Sequence, residues 1–307
     1  MRSAGRSAKR YPGPTQPYGS YILAAGSRNG PWTSPRLPSN PEDMDSASPL
    51  SLFARGLTTQ SNVVKALILR DVRTRFGGTL LGYVVTVAWP LTHAIVVMLV
   101  YLTIRRLAPI GSSASVFLAT GILPYVLCLY PARMISMSIS LNQPLLYFPV
   151  VKSFDLVLAR CIVEIVTAFW VVVLFSFILY VFGVDIAPIY MEEAVAAVFV
   201  TIFLGVSIGY VGAVMTSIIR MWGLVLIVTM IMMYATSGAF LLPSMLPQSI
   251  QYWMTWNPLF HSVEWLRSAY YDGYGNALLD KNYLVGFAMI NLFIGVVSER
   301  FVRRLMH

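Results

Sequence analysis

The stretch LLGYVVTVAWPLTHAIVVMLVYLTI, residues 80–104, runs for 25 residues without an Asp, Glu, Lys or Arg. As a helix it rises about 37 Å, enough to cross a hydrocarbon layer of about 30 Å. Working outward, further apolar stretches predict spans at about 115–138, 156–182, 193–219, 221–242 and 283–301. The expected fold is therefore an all-α membrane protein with six transmembrane helices. Composition agrees: 57% of the 307 residues are hydrophobic and 11% are charged, against about 25% charged in soluble domains. Pro90, Pro124 and Pro131 fall inside spans, where neighbouring groups satisfy the carbonyls that proline frees.

Before the first span lies an amphipathic segment, 59–76. Val64, Leu67, Ile68 and Val72 recur at helical spacing, with Lys65, Arg70 and Arg73 on other faces. This pattern predicts a helix lying in the headgroup plane. Residues 1–55, rich in Ser, Pro, Gly and Arg, read as a disordered cytoplasmic tail, and 56–307 as the membrane domain. The segment 243–281 is neither span nor ordinary loop. Eight aromatics fall between 252 and 274: Tyr252, Trp253, Trp256, Phe260, Trp265, Tyr270, Tyr271 and Tyr274. With Pro243, Pro247 and Pro258 among them, the segment predicts a re-entrant or interfacial helix pair.

With the amino terminus inside, the inner segments hold ten Lys or Arg residues, including Lys65, Arg70, Arg73, Arg75, Lys152 and Arg160. The outer ones hold Arg105, Arg106, Arg267 and Lys281. The positive-inside rule then places both termini in the cytoplasm. The net charge of +9 follows from that bias, and no nucleic-acid motif accompanies it. Cys128 and Cys161 sit in apolar stretches outside any CxxC pair and read as small buried hydrophobes.

No GxxxxGK[ST] or HExxH pattern occurs. The chain is expected not to be an enzyme, nor to bind a cofactor or metal itself. Any active transport must draw energy from a partner or an ion gradient. Intramembrane charge is costly and marks function by default. Arg133 either snorkels to the inner interface or lines a path for an anionic substrate. Arg160 and Glu164 are spaced to pair along one helix face. His93, at mid-span, hydrogen-bonds across helices or lines a path. The outer aromatics either anchor the interface or stack on sugar rings.

The run Ala66–Gly77, then Leu81-Gly82-Tyr83 and Trp89-Pro90, resembles the start of the ABC-2 type polysaccharide export permeases of Gram-negative capsule systems. Asn142-Gln143 through Lys152 with Asp155 and Arg160 resembles that family's inner coupling-helix loop, and Trp256–His261 with Glu264 and Arg267 resembles its outer gate segment before the last span. The three matches are ordered and span about 60–305; the tail has no counterpart. The resemblance implies the ABC-2 (type V exporter) architecture, a homodimeric pore, and a separate nucleotide-binding ATPase that hydrolyses ATP with Mg. It further implies periplasmic co-polymerase-type and outer-membrane partners, and a lipid-linked capsular polysaccharide as cargo in the bacterial inner membrane. Carried onto this chain, Arg70, Arg73 and Arg75 form the interface helix. Tyr147, Phe148, Lys152 and Asp155 couple to the ATPase. Arg133, His93, Tyr125, Tyr130, Tyr252, Trp253, Trp256, Phe260, His261, Tyr270 and Tyr271 form the substrate path and outer gate. Alternatives keep the fold and change the cargo to O-antigen, another glycan polymer or a small lipophilic molecule. An ion-coupled flippase would need paired intramembrane acids and internal repeats, and a glycosyltransferase clustered acids; neither pattern is present.

Overall fold

A computed structural model of the chain describes residues 49–75, 80–104, 108–274 and 277–305. Contacts separate residues 1–54 from 55–307, and the contacts below belong to the second unit. The helices are α1 (Pro49–Arg75), α2 (Leu80–Ile104), α3 (Ala114–Ser136), α4 (Ser153–Val181), α5 (Met191–Ile218), α6 (Trp222–Ala235), α7 (Gln248–Met254), α8 (Pro258–Tyr270) and α9 (Lys281–Leu305). A 3₁₀ helix covers Ser140–Tyr147. Among the described residues there is no strand. The fold is all-α, and α2, α3, α4, α5 and α9 are long and apolar enough to cross a membrane.

The stretch expected to span at 221–242 is helical only over Trp222–Ala235. Fourteen residues rise about 21 Å, short of a full crossing. The helix ends because Gly238 takes a left-handed φ of +73°, which suits a residue without Cβ, and Pro243 soon follows. Hydropathy alone does not register that break. The amphipathic helix also starts earlier than residue 59. Pro49 opens it, and proline in a first turn forfeits no helical hydrogen bond. Of the expected tail, residues 1–48 lie outside the described residues, as do Arg105 and Arg106.

The core is built around α3. Most of its side chains are buried, whereas α2 and α9 leave most of their surface uncovered. Ser113 caps α3, its Oγ accepting from the Val116 N–H. A glycine stripe seats α5 on α3. A Cβ on Gly205 would stand 2.7 Å from the Cys128 carbonyl oxygen, and one on Gly209 would stand 2.8 Å from Ile135 Cβ. On Gly212 it would meet Ser136 Cβ at 2.7 Å. Helices in lipid gain their association from such close backbone approach rather than from the hydrophobic effect. On α9, Gly295 gives the same clearance to the Tyr210 ring.

Candidate functional site

The first group of candidate residues is organised by α1. Val64 is buried and Leu67, Ile68 and Val72 are half-buried, while Lys65 and Arg73 are exposed, so the predicted apolar face points inward. Three polar contacts fix it to the segment 142–160. Gln60 Nε2 donates to Asp155 Oδ1 at 3.1 Å. Arg70 Nη2 donates to Asn142 Oδ1 at 2.7 Å. Arg160 Nη1 pairs with Asp71 Oδ2 at 2.7 Å. Arg160 also pairs with Glu164 one turn on, at the predicted i,i+4 spacing, so one buried guanidinium serves two carboxylates. Asp155 caps α4, its Oδ2 accepting from the Lys152 N–H at 3.0 Å. Beside these tied residues, Tyr147 is 89% exposed and Phe148 60%. Two aromatic side chains thus project from the segment between α3 and α4. The side chain of Arg75 lies outside the described residues.

The structure brings His93, Tyr125 and Tyr130 together. His93 Nδ1 shares a hydrogen bond with the Tyr130 hydroxyl at 3.2 Å, and its ring meets Tyr125 edge-on at 5.8 Å. The row continues through residues not singled out from sequence. Tyr125 stacks on Tyr234 with centroids 3.7 Å apart, Tyr234 leans on Phe240, and Tyr101 stacks on Phe240. The Tyr101 hydroxyl donates to the Phe240 carbonyl at 2.8 Å. A lone tyrosine in an apolar stretch gives no periodic signal, so Tyr101 and Tyr234 were indistinguishable from filler. Arg133 does not join this row. It is exposed in the last turn of α3, where a cation complements the helix dipole.

The aromatic segment 243–281 divides in two. On and just after α7, Tyr252, Trp253 and Trp256 are exposed, with Tyr252 edge-on to both tryptophans. On α8, Phe260 and His261 are buried. His261 Nε2 lies 2.8 Å from the Thr255 carbonyl, and Nδ1 accepts the Asp280 N–H at 3.1 Å. Those partners require the neutral ring with its proton on Nε2, and burial holds its pKa below the ordinary value. Tyr270 and Tyr271 are half-buried. Arg267, read from sequence as an outer-loop charge, has no exposed surface.

Residues 62–271 match the family model of the ABC-2 type transporters. The chain belongs to that family. This ABC-2 chain is 29% identical over 247 residues to the polysialic acid transport protein KpsM of Escherichia coli, covering 80% of this chain and 95% of that one. It is 26% identical to the capsule polysaccharide export inner-membrane protein CtrC of Neisseria meningitidis, over 81% of this chain and 94% of that one. It is 24% identical to the BexB protein of the same description from Haemophilus influenzae, over 81% and 94%. The likeness to an ABC-2 family of this kind agrees with the chain's run of apolar helices.

Proposed function

We propose that this chain is the membrane-spanning permease subunit of an ATP-binding-cassette exporter that carries lipid-linked capsular polysaccharide across the bacterial inner membrane. One observation carries the reading: the likeness to capsule-export inner-membrane proteins runs nearly end to end along those relatives. The permease works as a homodimer with the path between protomers. Its motor is a separate nucleotide-binding subunit that hydrolyses ATP with Mg. Periplasmic and outer-membrane export proteins take the polymer onward. Both termini face the cytoplasm, and α6 with the turn that follows it makes the fifth of six crossings.

Within this scheme α1 lies against the headgroups, and Arg70, Arg73 and Arg75 favour the phosphate of the arriving lipid-linked glycan. Tyr147 and Phe148 insert into the ATPase, with Lys152 and Asp155 at the start of α4 passing its closure into the bilayer. The polymer passes Arg133, His93, Tyr125 and Tyr130, whose rings offer faces for sugar stacking and edges for hydrogen bonds. Tyr252, Trp253 and Trp256 stand at the exit. Phe260, His261, Tyr270 and Tyr271 set the position of that gate from behind.

The test is reconstitution in proteoliposomes with the partner ATPase and a lipid-linked capsular polymer. ATP-dependent entry of polymer into the protected compartment is expected. Replacing both Tyr147 and Phe148 by Ala should leave assembly of the permease intact and lower transport at least tenfold. ATP hydrolysis without protected polymer in the unaltered complex would refute the reading.

A further inference from the structure

Both ends of α8 are tied to the broken end of α6. At its N-cap, Asn257 Nδ2 donates to the Met233 carbonyl at 2.6 Å and to Thr236 Oγ1 at 2.9 Å. Near its other end, Arg267 Nη1 donates to the Gly238 carbonyl and Nη2 to the Ala239 carbonyl, each at 2.8 Å. The guanidinium lies 4.2 Å over the Phe117 ring of α3. Its counter-charge is Glu264, 3.4 Å away, which in turn receives the Tyr274 hydroxyl at 2.9 Å. The turn itself is pressed onto α3, where a Cβ on Gly121 would collide with the Ala239 carbonyl oxygen.

A fully buried cation in a membrane protein is costly. This one answers a specific need. The break after Ala235 frees carbonyls that no helix satisfies, and at membrane depth water does not substitute. A planar fork spans two adjacent carbonyls and stacks on a ring; an ammonium does not do both. We propose that Arg267 is a positioning residue of the exit. It locks α8 to the broken end of α6, so that the outer segment and α6 shift as one body when the path opens. The inference rests on the transport reading above, which it deepens.

The experiment uses the full chain with its ATPase in native membranes, with Cys128 and Cys161 replaced by Ser. One reporter is Ser262→Cys on α8, whose side chain is fully buried. The control is Ser207→Cys on α5, equally buried. A membrane-impermeant maleimide added outside should label the Ser262→Cys reporter at least tenfold faster in Arg267→Ala than in the parent. In Arg267→Lys the change should stay under threefold. The Ser207→Cys control should stay protected in both. Polymer exported per ATP hydrolysed should fall in Arg267→Ala and recover at least by half in Arg267→Lys. Equal protection of the reporter in Arg267→Ala would overturn the proposal. Equal exposure of reporter and control would also overturn it, because Arg267 would then hold the whole fold and not the exit. Should Arg267→Ala fail to accumulate, Glu264→Gln combined with Tyr274→Phe loosens the same set; reporter labelling must then rise about threefold, and no rise overturns the claim. Unchanged labelling alongside intact export sinks this inference alone. A parent chain that moves no polymer sinks the transport reading and leaves the labelling result standing.

Discussion

His261 has both ring nitrogens occupied, one donating to Thr255 and one accepting from Asp280, so protonation must break the second bond. Its folded pKa is held below the ordinary value by burial, and the unfolded chain takes up the proton first. Stability is therefore unaffected above the unfolded pKa of about 6.5 and falls as pH drops through it. Thermal unfolding of the purified protein should move to lower temperature between pH 7.5 and 5.5. His261→Gln, which keeps an acceptor and a donor, should flatten that dependence; an unaltered pH profile in the variant would count against the assignment. At the same scale, Asp155→Ala removes the α4 cap and the partner of Gln60. A loss of about 1 kcal/mol is expected from the cap alone, measured by denaturation in detergent. The sequence signal at Asp155 was read as coupling; its capping geometry shows why a carboxylate stands there at all.

Between elements, the decisive contacts are those of α5 on α3 and of α1 on the segment 142–160. Gly209→Val would drive a branched side chain into Ala132 and Ile135, and overpacking of this kind costs about 1–3 kcal/mol. Lower unfolding temperature with normal membrane insertion is expected; wild-type stability would refute the close-packing account. Arg160→Met removes the guanidinium that pairs with Asp71 and with the buried Glu164. Breaking a buried pair in this way costs about 3–5 kcal/mol. Asp71→Asn should cost less, because Asp71 keeps 22% of its surface in solvent. The reverse order of stabilities would show that α1 is not held by this pair. Spans such as 80–104 and 156–182 were legible because length and charge-free composition alone determine them. The end of α6 was not, because it depends on one left-handed glycine and on carbonyl partners 28 and 29 residues away. Local hydropathy contains no trace of such long-range satisfaction.

For the molecule as a whole, the sequence singled out candidate path residues but not how they group in space. His93, Tyr125 and Tyr130 were singled out separately, and the structure gathers them with Tyr234, Phe240 and Tyr101 into one row. The outer aromatics, by contrast, were read as one cluster and separate into an exposed set on α7 and a buried set on α8. Side-chain exposure depends on which helix face meets which neighbour, and composition is silent on that. The central claim is that this chain is the conduit of a capsule exporter. The most direct measurement is the location of capsular polymer in a strain deleted for this chain alone. The account predicts polymer accumulating in the cytoplasm, none at the surface, and recovery on complementation; a normal surface capsule in the deleted strain would contradict it.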